Sequence, residues 1–503
     1  MKQIAVVFGA GKNWREKVAP QAFEQFQVVA ILDNDKHKQG TTFVYKENKV
    51  PIMPPDKIKN ITHDIIIISL DFDVLQSIAI NHLLKLCGNI KPFLVWNKDT
   101  KSLQKFPSYL PEQRSDMSTR IMFDMTTMSQ FDKGTGIQRV VNNLYRSMKL
   151  LQDNILAIRL WGDLITVPDY NEGINISEKN LHSKSIVYCR NDKLLMADYS
   201  FFETPCIMEN MQTKGVAVSI VIYDLLPVRH TDVVSAYFSH VFENWLIYVL
   251  LHASNILCVS KTVADDLIKY YGEKNLHRKK PLKIFFSYLG FDLPIVDTIC
   301  RENMQLFVKK APTLLMVGTV ERKKNYPLAL KSLIRLHENY PELQILIIGR
   351  QDTGYSSDED AIFLLENDEV LQDMVLWIKD ASDGELQWAY QNCAGLFYTS
   401  TREGFGLPIV EAAHFGLPIL CSDVPIFREV AGEYATYFQP NVADICRVVS
   451  AWLAEEVHVD SRNIRIYTWE ESARNVLDII NEKTRPYCII DENNAVVYGG
   501  GCV

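Results

Sequence analysis

Residues 398–416 read YTSTREGFGLPIVEAAHFG. Two carboxylates, Glu403 and Glu411, bracket the run Gly404-Phe405-Gly406-Leu407-Pro408. The apolar text before it, AGLFY at 394–398, predicts a buried strand, and residues 408–415 predict a helix. Pro408 suits the first helical position, where its missing N–H is not needed. The backbone N–H groups of residues 406–410 are then expected to be unpaired and to point beyond the strand end. Such a strand, glycine loop and helix start form an anion site. Glu411 is expected in or near the first turn, where a carboxylate is tolerated and accepts from hydroxyls. Glu403 is expected on the loop. N–H donors for phosphate and carboxylates for hydroxyls together suit a sugar nucleotide.

Outward from this stretch, strands alternate with helices along the chain, which implies parallel, doubly wound sheets. Residues 1–112 read as a small Rossmann-like domain. Residues 118–300 form a second α/β unit and residues 308–465 a third. Residues 466–483 predict a terminal helix, and 484–503 a weakly ordered tail. The expected fold class is α/β, with two Rossmann-like domains facing a cleft at the carboxyl ends of their strands, preceded by the smaller one.

The bulk properties agree. A chain of 503 residues is too long for one core, with about three domains as the prior. Its 47% hydrophobic and 23% charged residues are those of a folded protein, and a net charge of −8 argues against a nucleic-acid partner. The ten cysteines show no Cys-x-x-Cys pair and no His/Cys ligand spacing, which predicts reduced thiols in a cytoplasmic protein and no zinc. The start, MKQIAVVFGAG, reads as one short strand rather than a signal peptide. The most apolar helical text, residues 246–251, is too short for a membrane span.

A second constellation, Gly318-Thr319-Val320-Glu321-Arg322-Lys323-Lys324-Asn325, sets three cations between a strand end and a helix. Cations there neutralise a diphosphate leaving group. A basic turn alone is more often a solvated surface; Glu403 and Glu411 downstream shift that balance.

From residue 313 to 432 the chain resembles the nucleotide-binding half of the family-4 glycosyltransferases, of GT-B fold. The family's Glu-x7-Glu pattern is matched by Glu403-GFGLPIV-Glu411, and later text by Gly416-Leu417-Pro418, Ser422-Asp423-Val424-Pro425 and Glu429-Val430-Ala431-Gly432. The run 317–325 resembles the family's basic loop. Gly134-Thr135-Gly136-Ile137-Gln138-Arg139 resembles its acceptor-side glycine loop, Val221 to Pro227 its His-Asp-x-x-Pro strand end, and Val259-Ser260-Lys261 its Val-Ser pair. Two departures stand out: Arg322-Lys323 replace Pro-Arg, and Tyr223 replaces histidine.

The resemblance implies a retaining, metal-independent transferase. It would move a hexose, mannose or rhamnose, from a nucleoside-diphosphate sugar to a glycan or lipid-linked glycan. No cofactor is implied. Glu411 would bind the ribose, and Glu403, with the amides of Gly404, Phe405, Gly406 and Leu407, would face the donor sugar. Lys324, with Arg322 or Lys323, would hold the diphosphate, near Gly318 and Thr319. Gly136, Asp224 and His230 would lie on the acceptor side. The segment WEESA at 469–473 resembles the family's terminal crossover helix. A non-catalytic scaffold that keeps the fold is the rival reading.

Three Asp-x-Asp triplets, at 33–35, 71–73 and 358–360, are read as chance rather than metal sites. Gly9-Ala10-Gly11 follows a strand, and Asp33 ends the next one, the dinucleotide arrangement with Trp14 in place of the third glycine. The unit resembles small Rossmann-like domains attached to polysaccharide-modifying enzymes. Two readings of Gly9, Gly11 and Asp33 stay open: a nucleotide pocket, including a dehydrogenase module, or a degenerate structural domain. The basic run 274–283 is a candidate peripheral contact with an anionic membrane surface, against a plain solvated loop.

Overall fold

A computed structural model describes residues 2–70, 79, 83, 93–97, 101–105, 118–130, 136–161, 164–167, 184–185, 188–201, 203–292, 300–352, 354, 356–455 and 458–499. The chain divides into two compact units, Met1–Gln138 with Asn154–Val218 and Arg139–Asp153 with Ser219–Val503. The expected helix at 75–86 lies outside the described residues apart from Ala79 and Leu83, both buried. The triplet 71–73, Gly134 and Thr135 also lie outside them.

In the first unit, Ile4–Phe8, Gln27–Leu32, Asn48–Met53, Ile65–Ile68 and Phe93–Asn97 run parallel. Four consecutive buried isoleucines at 65–68 mark a strand covered on both faces. Three strands were not expected: Asn48–Met53, which joins the parallel set, and Thr42–Tyr45 and Ser102–Lys105, each antiparallel on an edge. The chain after Gly11 predicts a helix to about residue 23, and residues 12–25 are helical, with a π-helical segment Trp14–Val18 running into Ala19–Gln25. Pro20 lacks the N–H that a regular ladder needs there. The unit's second sheet places Ile121–Asp124 between Ile155–Trp161 and Lys193–Met196, both parallel to it.

In the second unit, Ala217–Ile222, Asn255–Cys258 and Leu282–Phe286 pair in parallel. The terminal helix Trp469–Ile480 opens on a capping box between Thr468 and Glu471. It lies over the chain that follows Leu282–Phe286, where Ser472 Oγ donates to the Tyr288 carbonyl (2.9 Å) and Asn475 Nδ2 to Ser287 Oγ (3.0 Å). The expected weakly ordered tail is a correction. Cys488–Ile490 and Val496–Tyr498 form a hairpin that adds antiparallel to Leu282–Phe286. Cys488 and Ile490 are fully buried, so alternate side chains anchor it.

The other sheet of this unit has six parallel strands, in the order Val375–Ile378, Gln344–Ile348, Thr313–Val317, Gly395–Tyr398, Ile419–Ser422, Thr436–Phe438. Alternation sends Leu315, Leu346 and Leu396 to one core and Leu314, Ile345 and Phe397 to the other. The chain starts at Thr313–Val317, winds outward one way, then returns to Gly395–Tyr398 and winds the other way. The gap between those two strands is the topological switch point, where such sheets bind ligands.

Candidate active site

Two loops leave the switch point side by side. The first carries the turn Arg322–Lys324, closed by Asn325 in the left-handed region (φ 57°). The second carries residues 399–406. Thr399 Oγ1 donates to the Lys324 carbonyl (3.0 Å) and Ser400 Oγ to the Lys323 carbonyl (3.1 Å), pinning one loop to the other. Between them, Lys324 Nζ is 2.6 Å from Glu403 Oε1 and 3.1 Å from the Tyr398 hydroxyl. Tyr398 and Ser400 also donate to Glu403 Oε1, each at 2.9 Å.

The lysine and glutamate side chains are each only 13% exposed. Burial alone would push the Glu403 carboxyl up, but the Lys324 and Lys323 ammonium groups hold it down at about 2. Burial works against the charged Lys324 in turn, and Glu403 overcomes it and raises the ammonium. The pair is therefore ionised at neutral pH. Lys323 lies 3.3 Å from Glu321. Burial opposes its charge as well, and Glu321, then Glu403, raises it. Arg322 turns elsewhere, toward the carbonyls of Ser357 (3.2 Å) and Asp232 (3.3 Å). The structure thus puts Lys324 in the pocket, Lys323 beside it and Arg322 on the outside.

The helix runs Leu407–His414, so Pro408 takes its second position rather than the first. Glu411 falls past the first turn, and the Ile409 N–H is not free, because it donates to the Gly406 carbonyl (2.9 Å). Glu411 is buried. Tyr390 donates to its Oε2 at 2.6 Å, and Arg139 Nη2 approaches Oε1 at 3.5 Å. Burial, then the Glu411 charge, raises the Tyr390 phenol far above its ordinary range, so it remains a donor.

Gly404 is required by close approach, since a Cβ there would sit 1.8 Å from the Tyr223 carbonyl oxygen. The Gly404 carbonyl accepts from Ser260 Oγ (2.8 Å). Gly406 caps the helix at φ 97°, which favours glycine. Phe405 is buried against Tyr288 and Leu407 is half-buried, so Phe405 serves the core. Gly318 accepts from the Tyr326 hydroxyl (2.7 Å) at the strand end, with Thr319 following. Asp224 borders Gly404. Burial pushes its carboxyl up, partly offset by Lys323. His230 ends the turn Leu226–Arg229, and burial, then the Arg402 guanidinium, lowers its imidazole. Gly136 opens the helix Gly136–Leu151 and is exposed.

Sequence reasoning missed the two tyrosines and Arg139 as partners of the acids. A signal for Tyr390 was present: the Ser382/Glu385 capping box fixes the phase of the helix Asp383–Asn392. The triplet 358–360 is no loop. Asp358 caps the helix Glu359–Asn367 by accepting from the Ala361 N–H (3.2 Å). In the basic run, Arg278 is buried and donates to the carbonyls of Leu250, Ala253 (2.7 Å) and Lys280 (2.9 Å), so it is a structural cation.

In the first unit, Gly9 has φ 101° and Gly11 is exposed. Asp33 Oδ2 accepts from the Ala10 N–H (2.7 Å) and Lys38 Nζ (3.3 Å), and Oδ1 from the Asp35 N–H (2.8 Å). Oδ1 keeps the greater acceptor capacity for a further hydroxyl, with one donor against two on Oδ2. Trp14 is fully buried against Phe23 and Phe43, filling the space a third glycine leaves open.

Residues 302–469 match the family model described as glycosyl transferases group 1. Serotype-specific mannosyltransferase WbdA of Escherichia coli is 29% identical over 384 residues, covering 71% of this chain and 44% of that protein. The chain thus spans less than half the length of that relative. O-antigen chain mannosyltransferase RfbU of Salmonella typhimurium is 27% identical over 224 residues, covering 44% of this chain and 57% of that one. Sucrose-phosphate synthase from Thermosynechococcus elongatus superposes with a TM-score of 0.53 at 14% identity, over 73% of this chain and 99% of that chain. At that identity the likeness speaks for the fold alone, and it bears out the expected α/β class of GT-B type. Among the described residues no helix is long and apolar enough to cross a membrane.

Proposed function

We propose that this chain, whose residues 302–469 are a glycosyl transferases group 1 domain, transfers mannose from a nucleoside-diphosphate donor to a growing surface glycan. The observation that carries the reading is the buried Lys324–Glu403 pair at the switch point, in the same domain as the partnered Glu411. The mannosyltransferase names of two relatives supply the sugar.

Glu411 receives the ribose hydroxyls, with Tyr390 holding one of its oxygens so that the other is presented. Lys324, with Lys323 behind it, offsets the charge that develops on the departing diphosphate. Two ammonium groups in the site make a metal ion unnecessary for that task. Glu403, held ionised, presents acceptor oxygens to the donor sugar. The acceptor attacks on the face the diphosphate leaves, and the diphosphate takes its proton, so the anomeric configuration is retained. The acceptor is a glycan or lipid-linked glycan, reached from the cytoplasmic face of a membrane.

The test is diphosphate release by the purified full chain from GDP-, UDP- and dTDP-sugars, with and without EDTA. GDP release from GDP-mannose that survives EDTA, with an axial anomeric linkage in the product by NMR, supports the reading. Release that EDTA abolishes refutes metal independence, an inverted product refutes retention, and no release from any donor refutes the activity.

A further inference from the structure

The strands Ile121–Asp124 and Lys193–Met196 are parallel neighbours in the first unit, and an acid stands at or just past the carboxyl end of each. The two acids are in different states. Asp124 is fully buried and fully engaged. Its Oδ1 accepts from the Thr126 N–H (2.9 Å) and hydroxyl (2.5 Å), and its Oδ2 from Ser200 Oγ (2.8 Å). Asp198 is 6% exposed, and its Oδ1 accepts from the Tyr199 N–H (2.7 Å). Its Oδ2 is buried and has no hydrogen-bond partner among the described residues. Two half-buried aromatic rings follow directly: Tyr199 and Phe201 stack with centroids 5.3 Å apart and planes 14° from parallel.

A buried carboxylate oxygen without a donor is destabilising, and native proteins rarely leave one. Carboxyl ends of α/β strands are where ligands bind. The chemistry narrows the class of ligand. An anion is repelled by the two acids. A cation is poorly served, because the oxygens of Asp124 are already taken by three hydrogen-bond donors. A neutral molecule that brings hydroxyl donors along one edge and an apolar C–H face for the rings fits both features. A pyranose is such a molecule.

We propose that Asp198, followed by the stacked rings of Tyr199 and Phe201, binds a pyranose ring of the acceptor glycan, with Oδ2 accepting from a ring hydroxyl. The inference rests on the glycosyl-transfer reading for the word acceptor, and on the first unit's own geometry for the subsite. Burial, with the Asp124 charge adding to it, lifts the Asp198 carboxyl to about 6. At neutral pH it is therefore an ionised oxygen that meets no donor among the described residues, which strengthens any hydroxyl bond it receives.

The experiment compares the full chain with Asp198→Asn, a near-isosteric change. In the transfer assay with mannobiose as acceptor, the acceptor KM is expected to rise about 10–100-fold, the loss of one hydrogen bond to a charged group. Donor KM is expected to move less than twofold, and Tm at pH 8 to be no lower than wild type. Parallel losses in donor and acceptor parameters with a lowered Tm mean a structural role and overturn the inference. A second measurement needs no turnover: saturation-transfer NMR with mannobiose. Signal in the wild type that is lost in Asp198→Asn and reduced in Phe201→Ala supports the subsite. Equal signal in wild type and Asp198→Asn, or none in either, overturns it. Failure of donor turnover alone refutes the proposed activity and leaves the NMR arm to decide the subsite.

Discussion

Lys324→Met removes the charge at the switch point while keeping most of the side-chain volume, and its effect is calculable from the geometry. The Glu403 carboxyl lies at about 2 against an ordinary value of 4.5, although burial acts to raise it. Each pKa unit is 1.36 kcal/mol, so the folded protein favours the charged form by about 3 kcal/mol. The sign follows from linkage. A depressed folded pKa gives stability that is full above about 4.5 and lost as pH falls toward about 2. At pH 7, Lys324→Met leaves Glu403 buried without its nearest cation, which destabilises by about 3–5 kcal/mol. Glu403→Gln removes the other charge, and the double variant has neither. Urea unfolding at pH 7 then gives a coupling of about 3 kcal/mol from the four proteins. If Lys324 offsets the leaving diphosphate as proposed, turnover of GDP-mannose by Lys324→Met is expected to fall at least about 100-fold. Additivity of the two single variants within about 0.5 kcal/mol would refute the ion-pair account. So would wild-type and Glu403→Gln proteins that lose stability identically between pH 4.5 and 2.

Tyr390→Phe removes the donor from the buried Glu411 Oε2 and keeps the ring stacked on Phe415, so stability in urea falls by about 1–3 kcal/mol while donor KM rises about 5–30-fold in steady-state kinetics. Arg278→Ala strips the guanidinium from the carbonyls it caps and is expected to destabilise by about 3 kcal/mol in urea, with mannosyl transfer normal at low temperature. Asp198 has a folded pKa of about 6 against an ordinary 3.8, so the native state holds the extra proton between those values, and this group's contribution to stability is full below 3.8 and lost as pH rises through about 6. Thermal unfolding across that window is expected to show a loss of about 3 kcal/mol that Asp198→Asn removes.

The legibility of this chain follows local pattern. Five strands of the six-stranded sheet were readable because each is a short apolar run between glycine or charged punctuation, as at 313–317 and 394–398, whereas the three-residue Thr436–Phe438 was too short to read. Glu403 and Lys324 were readable as candidates because both follow such strands. What sequence could not supply is direction. Arg322, Lys323 and Lys324 are equivalent as text, and only the short turn closed by Asn325 decides that Lys324 faces Glu403 while Arg322 faces Ser357 and Asp232. The hairpin at 488–498 escaped because its strands are three residues long and stand on a partner more than two hundred residues earlier. The buried tyrosines escaped for a related reason: Tyr390 and Tyr398 look like core aromatics, and their hydroxyl bonds depend on tertiary placement.

Those two phenols explain why the acids tolerate burial. Each carboxylate of the Glu403/Glu411 pair has one oxygen held by a buried tyrosine, at 2.9 Å and 2.6 Å respectively. A hydroxyl is a neutral donor, so it steadies the anion without cancelling its charge or blocking its second oxygen. The cations then divide between the acids: Lys324 contacts Glu403 tightly at 2.6 Å, and Arg139 contacts Glu411 loosely at 3.5 Å from a side chain about half exposed. A tight pair keeps Glu403 ionised and Lys324 oriented before any donor arrives, so little reorganisation accompanies diphosphate departure. A loose pair is easily exchanged, so under the proposed function Glu411 would yield its oxygen to a ribose at small cost. The difference between 2.6 Å and 3.5 Å thus separates a tightly paired acid from a loosely paired one, and under the proposed function the second is the one that would exchange its partner for substrate.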